Sequence, residues 1–479
     1  MEPKITRRII RWAAAAAAIA AAALTAGSAS AAPVGAGPKP AGYRQKAEEE
    51  TDFIQAHYWD ASAKRYRPTY PTVAGQLQYD VMWGNGVQFS ALAGAEREDP
   101  AKYRQPLSLF ADGLVAYWDP TAPVPCYQAY CSGPGGDDKY YDDNEWMVLG
   151  FTEAYQNTGD PKYLKMAQDT QKFVLSGWDD VLGGGVYWKI DHKSKNTCSN
   201  APAAASALRL DQVTGDREQG AWGIKITDWT TSHLEDTDGL FWDNVKLSGE
   251  IQKWKFSYNT ALMIRAHVLL YQLRHTPADL TEARREADAG LAAWTDPATG
   301  SLQKTENSPR FTHLFCEALL RLYDVSHEAK YLNAVRQQAA FAYRYVRDPK
   351  GGYRDHWTVV VKDPDAPKSL IENASTARLF WLLAPYPDPA ELTLAGRTAA
   401  GQGKESQAEG LLRQAADSDR DAAESRYYLW KVLVREKKPE AAAEAGRLAV
   451  LAQTPAYAAR LQAAGWKPPV PAGQDIVVK

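Results

Sequence analysis

Residues 142–175 read DDNEWMVLGFTEAYQNTGDPKYLKMAQDTQKFVL, and this stretch contains two helices of different character. From Trp146 to Phe151 the residues are apolar on every side, which indicates a helix that is buried all round. After the turn at Gly159-Asp160-Pro161, the apolar residues between Tyr163 and Val174 form a single stripe and charged residues fill the other face. Asp followed by Pro is typical of an N-cap and the first helical position. The stretch therefore predicts a helical hairpin with an inner and an outer helix.

The same hairpin pattern recurs along the chain, with related turn phrases at residues 99–103, 214–216 and 327–332. We predict inner helices near 78–95, 142–157, 196–211, 256–271, 309–324 and 370–383. We predict outer helices near 43–57, 102–117, 162–175, 217–232, 280–293 and 329–346. A repeat of six helix pairs predicts an all-α fold, a closed (α/α)6 barrel with a cleft between its loops. Strand signals are confined to loops, such as 185–189 and 357–361.

The two ends of the chain differ in composition from the predicted barrel at 43–384. Residues 1–31 carry basic residues, a short apolar run and a small-residue stretch, which is typical of an export signal, and 32–42 form a linker. The arginine pair Arg7-Arg8 is compatible with a twin-arginine signal. Residues 385–479 are rich in Ala and Glu, with amphipathic segments at 404–417, 419–436 and 438–453. They predict a small tetratricopeptide-like helical appendage that packs on the barrel or docks a protein partner.

Charge and cysteine content limit the function classes. Without residues 1–31, 51 basic and 57 acidic residues remain, a net charge of −6, which argues against a nucleic-acid partner. The apolar run is shorter than the roughly 20 residues that a membrane span needs. Secretion or periplasmic location would allow oxidation, and the short gap between Cys126 and Cys131 predicts a disulfide. The chain lacks C-x-x-C and H-E-x-x-H motifs, so we expect no metal and no cofactor.

Asp142 and Asp143 are the first candidates for catalysis. Hydrolysis of a glycosidic bond needs one carboxyl group that donates a proton and another that attacks or activates water. The loop Gly183–Trp188 follows about forty residues later, and aromatic rings stack on sugars. Asp142 with Glu145 also fits a helix capping box. Crowded like charges at one helix start favour a functional use of the acids.

These motifs, in this order, resemble glycoside hydrolase family 76, the bacterial and fungal endo-α-1,6-mannanases. The resemblance spans about residues 43 to 384 and rests on 142–146, 159–164, 184–188, 195–200, 239–243 and 256–259. It implies an (α/α)6 fold and retaining hydrolysis of an α-1,6-mannan-like polysaccharide, with Asp142 as nucleophile and Asp143 as acid/base. It also implies a substrate pocket formed by Asp80, Trp83, Asn144, Trp188, Asn200, Asp243, Tyr258 and Asn259. Several of these residues are equally compatible with capping or core roles.

Two other functions are compatible with the same barrel. An epimerase-like sugar isomerase would use histidines for proton transfer, and His267 and His313 lie on predicted inner helices. A non-catalytic sugar-binding or scaffold protein would keep the barrel and the aromatic residues without working acids. The intact Asp142-Asp143 pair argues against this second alternative.

Overall fold

The computed structural model describes residues 42–466, apart from 132, 134, 303–307, 358–362 and 364. Six of its helices alternate in sequence with six others that pack outside them. The inner helices are α2 (Met82–Glu98), α4 (Tyr141–Thr158), α6 (Thr197–Thr214), α8 (Ser257–Arg274), α10 (Pro309–Ser326) and α12 (Leu370–Leu383). The outer helices are α1 (Tyr43–His57), α3 (Pro100–Gly113), α5 (Pro161–Ser176), α7 (Arg217–Leu234), α9 (Pro277–Trp294) and α11 (Ala329–Phe341).

The inner helices form a closed ring. Each packs against the next in chain order, and α12 closes the ring by packing against α2. Outer helices α3, α5, α7, α9 and α11 pack on the inner helix that precedes each of them, whereas α1 packs on α12. The predicted (α/α)6 barrel is confirmed, with all twelve of its helices.

Burial follows the two patterns read from the sequence. All residues of α12 are buried, as expected for an inner helix, whereas α5 buries one stripe that includes Tyr163, Phe173 and Val174. The predicted aspartate N-caps are also present. The side chains of Asp99, Asp160 and Asp216 accept hydrogen bonds from backbone N–H groups at the starts of α3, α5 and α7.

Short antiparallel strands tie the loops together. They are β1 (Trp59–Asp60), β2 (Arg65–Tyr66), β3 (Thr69–Tyr70), β4 (Trp118–Asp119), β5 (Cys126–Tyr127), β6 (Ser194–Asn196), β7 (Asn244–Lys246), β8 (Ile251–Gln252) and β9 (Lys368–Ser369). The pairs are β1–β2, β3–β9 and β4–β5, and β6, β7 and β8 form a three-stranded sheet. The predicted strand at 185–189 is reduced to single bridges at Val186 and Lys189. Most of the one predicted at 357–361 lies outside the described residues.

Five helices follow the barrel: α13 (Pro389–Gly401), α14 (Glu405–Ser418), α15 (Ala423–Arg435), α16 (Ala441–Leu451) and α17 (Pro455–Ala463). The sequence analysis located α14 to α16 and missed α13 and α17. Ion pairs connect this part of the chain to the barrel. Arg344, after α11, pairs with Asp419, and Lys46 on α1 forms a buried pair with Asp388. The described chain clusters as one compact unit. The boundary at 384/385 and the tetratricopeptide likeness therefore stay predictions.

The predicted disulfide is absent, since all four cysteines are free. Cys126 lies in β5, where its backbone pairs with Asp119 and its side chain is buried against the barrel core. Cys131 is exposed, and its sulfur contacts the guanidinium of Arg65. The short gap in sequence does not bring the two side chains together, because the strand directs one inward while the other lies at the surface. None of the helices within residues 42–466 is long and apolar enough to cross a membrane.

Candidate active site

The second residue of each inner helix contributes to a ring at the N-terminal mouth of the barrel. Because the six helices begin in phase, side chains distant in sequence meet there. The members are Trp83, Asp142, Cys198, Tyr258, Arg310 and Ile371. The aromatic side chain of Phe311 connects two of these members. Its ring centroid lies 4.7 Å from that of Tyr258 and 5.6 Å from that of Trp83. The guanidinium of Arg310 lies over the Trp83 ring. Three predicted site residues, Trp83, Asp142 and Tyr258, are thus brought together.

Asp142 accepts hydrogen bonds from two donors and lies beside a thiol. Its Oδ2 accepts a hydrogen bond of 3.1 Å from Trp188 Nε1, and its Oδ1 accepts one of 3.0 Å from the backbone N–H of Asp143. The thiol of Cys198, on the neighbouring inner helix, lies beside the same carboxylate and lowers its pKa. Burial raises the pKa of Asp142 to about 6, and the two donors and the neighbouring thiol limit the rise. At neutral pH this carboxyl group is therefore mainly ionised.

Asp143 differs from its neighbour in protonation. Its side chain is 9% exposed. Burial and the adjacent charge of Asp142 raise the pKa of Asp143 well above the usual value. One acid of the pair is therefore ionised while the other keeps its proton, which is the division of roles that acid/base chemistry on a sugar requires.

The capping-box alternative for this helix start is wrong. Helix α4 begins at Tyr141, its N-cap residue is Tyr140, and no side chain caps it. Glu145 does not reach back to the N-cap. It is fully buried one turn below Asp142, and neither carboxyl oxygen has a hydrogen-bond partner among the described residues. Burial and the two aspartates raise the pKa of Glu145 well above the usual value, so this third acid is neutral.

Asparagines at the fourth position of inner helices hold the loops that frame the mouth. Asn144 on α4 accepts from Tyr127 N at 2.8 Å and donates to Tyr127 O at 3.0 Å. Asn200 on α6 makes the same pair of bonds with Val186, and Asn373 on α12 makes them with Tyr353. These amides are buried and occupied by backbone groups. We therefore expect Asn144 and Asn200 to support the cleft rather than to contact a sugar.

Glycines set the path of the loop that carries Trp188. A Cβ at Gly184 would lie 2.4 Å from the Trp178 ring, and one at Gly185 would lie 2.6 Å from Trp229. Both residues have positive φ, at 141° and 91°. Beneath the loop, Lys195 donates to the carbonyls of residues 181 and 184 and to the carboxylate of residue 179. The close backbone approach leaves Trp188 40% exposed beside Asp142, where a sugar face is able to stack.

The remaining predicted pocket residues lie around the same mouth. Asp80 accepts from Val81 N at 2.8 Å, and burial raises its pKa to about 7. Asp243 accepts from Asn244 Nδ2 at 2.7 Å, and burial raises its pKa as well. Its charge acts on Cys198 and Tyr258, which places it on the Asp142 side of the ring. Asn259 is fully buried beside Tyr258, and its amide has no partner among the described residues.

Cys198 is the ring member that the sequence analysis missed. It appeared there only within the motif at 195–200, because nothing local distinguishes a thiol that faces a carboxylate from a core thiol. The signal that identifies it is its position. Cys198 is the second residue of α6, as Asp142 is of α4.

The two histidines of the isomerase alternative do not form a site together. His267 lies 3.1 Å from Glu286 of outer helix α9 and so faces away from the barrel axis. His313 bonds to the carbonyl of Pro309, and burial lowers its pKa to about 4. Within the described residues, no group of three or more His, Cys, Asp or Glu side chains is arranged to hold a metal ion.

Solved structures share this barrel. An α-mannanase of family GH76 from Bacteroides thetaiotaomicron matches with a TM-score of 0.66 at 25% identity, over 72% of this chain and 96% of that chain. The α-1,6-mannanase GH76A from Salegentibacter sp. HEL1_6 matches with a TM-score of 0.62 at 24% identity, over 71% and 99%. An inactive variant of that enzyme, with two consecutive aspartates replaced by asparagine, has been solved in complex with α-1,6-mannotriose.

Sequence comparisons agree with the structural ones. The meiotically up-regulated gene 191 protein of Schizosaccharomyces pombe is 25% identical over 306 residues, which is 57% of this chain and 68% of that protein. The family model of glycosyl hydrolase family 76 matches residues 43–358. This range contains helices α1 to α11 and the paired aspartates. The match extends over more than half of the chain. The chain therefore belongs to glycosyl hydrolase family 76.

Proposed function

We propose that this glycoside hydrolase cleaves α-1,6-mannosidic bonds within a mannan-like polysaccharide and retains the anomeric configuration. The observation that carries the proposal is the adjacent pair Asp142 and Asp143 at the mouth of the barrel, one ionised and one protonated at neutral pH. The α-1,6-mannotriose bound by the Salegentibacter relative supports the choice of linkage. The apolar and aromatic surface of Trp83, Trp188 and Tyr258 is suited to a chain of sugars.

The proposed reaction has two steps. Asp142 attacks the anomeric carbon while Asp143 gives its proton to the departing glycosidic oxygen, which leaves a mannosyl ester on Asp142. Asp143, now ionised, takes a proton from water, and the resulting hydroxide attacks the anomeric carbon and releases Asp142. Trp188 Nε1 and the Asp143 N–H hold the attacking carboxylate in place. Asp80, Asp243 and Asn259 are proposed to bond to sugar hydroxyls.

The proposal is tested by incubating the protein with α-1,6-mannan. We expect oligosaccharides whose new reducing ends first form in the α configuration, followed by proton NMR before mutarotation. First formation of the β anomer would overturn retention, and lack of cleavage of this mannan would overturn the linkage. We further propose, from the pattern of residues 1–31, that the protein acts outside the cytoplasm. Fractionation of a producing cell tests this location.

The pH dependence of kcat/KM follows from the two carboxyl groups. Asp142 must be ionised to attack, so we expect kcat/KM to fall below about pH 6 as this group takes up a proton. Asp143 must be protonated to act as an acid, and burial with the charge of Asp142 raises its pKa. We therefore expect a bell-shaped profile with its maximum above pH 6. A flat profile between pH 4 and pH 6, measured on mannan, would contradict the assignment of Asp142.

Replacing Cys198 tests the effect of the thiol beside the nucleophile. In Cys198→Ala we expect kcat to drop about tenfold, because a hydrogen bond to a charged group contributes on the order of 1.5 kcal/mol. The acid limb of the pH profile should move to higher pH, since the thiol lowers the pKa of Asp142. Cys198→Ser keeps a donor and should restore both values in large part. Cys316→Ala, another buried cysteine, is the matched control and should leave the profile in place.

A further inference from the structure

Four arginines face the barrel axis below the mouth ring. Arg265 and Arg378 are the ninth residues of α8 and α12, and Arg209 and Arg321 are the thirteenth residues of α6 and α10. Positions nine and thirteen lie seven and eleven residues after the second position, and both spacings return to the same face of an α-helix. These side chains therefore point toward the axis, as Asp142 does.

The carboxylates on the axis carry too little negative charge to neutralise these arginines. Glu317 lies 3.1 to 3.6 Å from guanidinium nitrogens of Arg265, Arg321 and Arg378. Glu153 pairs with Arg378 at 2.8 Å. One buried and one partly buried carboxylate thus face four arginines. Asp324, the other acid near this cluster, is exposed at the rim and accepts a hydrogen bond from the Tyr386 hydroxyl, so even with it a positive charge remains.

Arg209 is the arginine of this group whose positive charge has no carboxylate partner among the described residues. Its guanidinium donates to the side-chain oxygens of Gln156 and Gln212, and it forms no ion pair among the described residues. Burial and the nearby Arg321 lower the pKa of Arg209 to about 10. The partial negative charge at a helix end extends only about one turn. Arg209 lies five residues before the end of α6 at Thr214, so this charge does not neutralise it.

A cavity opens beside these side chains at the C-terminal end of the barrel. The centres of water molecules can occupy about 70 Å³ of it, and its polar lining consists of Arg209, Arg265, Arg321, Gln272, Glu153 and Asp324. Eleven residues of helix separate the level of Arg209 from the second position of α6, about 16 Å along the helix axis. The Arg209 end of the cavity therefore lies well away from the mouth that holds Asp142, and a second cavity, lined by Trp83, Glu153 and Arg265 among others, lies between them.

We propose that this C-terminal cavity binds a small oxyanion, such as phosphate or sulfate, through Arg209, Arg321 and Arg265. Arg209 is partly buried among other arginines, and like charges held close together are unfavourable without enough counterions. A bound anion would remove this imbalance. Guanidinium groups offer paired N–H donors that match the geometry of an oxyanion, and the amide of Gln272 adds another donor. The site does not depend on the proposed reaction, since none of these residues touches the aspartate pair.

The test is a thermal melt of the full chain in sodium chloride, sulfate or phosphate at matched ionic strength. We expect phosphate and sulfate to raise the Tm by about 2 °C or more in a saturable manner, because a ligand that binds only the folded state stabilises it. Arg209→Gln should abolish the rise, and Arg321→Gln should reduce it. Arg217→Gln, on the exposed side of α7, is the control and should keep the full rise.

Calorimetric titration with inorganic phosphate and with glucose 6-phosphate separates a free anion from a phosphate ester. Binding of either compound to the wild type, with loss of binding in Arg209→Gln, supports the site. The proposal is overturned if the wild type shows no rise beyond that in chloride. It is also overturned if Arg209→Gln, folded as judged by circular dichroism, still shows the full rise.

Discussion

Asp142→Asn and Asp143→Asn are each expected to lower kcat on α-1,6-mannan by at least about a thousandfold, because each removes a group that acts in the transition state. An amide at position 142 is a poor nucleophile. An amide at position 143 has no proton to give to the leaving oxygen. Both substitutions keep the shape of the side chain and remove a buried acid, so the fold should survive. Initial rates of reducing-sugar release, with circular dichroism of each variant, provide the measurement.

Asp137→Asn is the matched control for these variants. Asp137 is an exposed acid a few residues before the pair, and its replacement should leave kcat within about twofold. The roles of the two acids are separated by Asp143→Ala, for which azide should partly rescue cleavage of a substrate with a good leaving group. Near-wild-type activity in Asp142→Asn or Asp143→Asn would remove the assignment, and absence of azide rescue would weaken the retaining mechanism.

The fold was predictable because its signals are local and repeated. The Asp160-Pro161 turn, the apolar run from Trp146 and the stripe from Tyr163 each specify one element, and six copies of the pair leave few ways to bury all the inner helices. The predicted inner helices near 256–271 and 309–324 differ from α8 and α10 only at their ends. Helix α13 was missed because it starts at Pro389, directly after the predicted boundary at 384/385, where prolines interrupt the helical pattern.

The site was predictable only in part, because its geometry depends on helix phase. Asp142 and Asp143 are identified by chemistry, yet the contact of Cys198 with Asp142 depends on two helices that begin in phase on neighbouring sides of the barrel. Asn144 and Asn200 carry the residue type of a sugar-binding side chain. Their position at the fourth residue instead directs them to backbone groups of loops. The disulfide predicted between Cys126 and Cys131 was wrong for a related reason, because a short spacing in sequence does not show the direction of a side chain.

The buried ion network on the barrel axis leads to the largest expected effect on stability. Arg378 is 2% exposed, and its guanidinium donates to Glu153 at 2.8 and 2.9 Å, to Glu317 at 3.1 and 3.3 Å and to the carbonyl of Ser90 at 2.9 Å. All of its nitrogens are therefore used. The network joins three inner helices, α4, α10 and α12, across the axis.

Arg378→Met is expected to lower the free energy of unfolding by about 3–5 kcal/mol, because it leaves the partly buried Glu153 without its ion-pair partner and removes two bonds from the buried Glu317. The triple variant Arg378→Met/Glu153→Gln/Glu317→Gln removes the stranded charges and should recover much of the loss. Arg397→Met breaks an exposed pair with Glu424 and should change stability by about 1 kcal/mol or less. Denaturant unfolding followed by circular dichroism measures all three. If Arg378→Met were no less stable than Arg397→Met, the axial charges would be solvated, and the balance of charge that assigns the anion to Arg209 would fail with them.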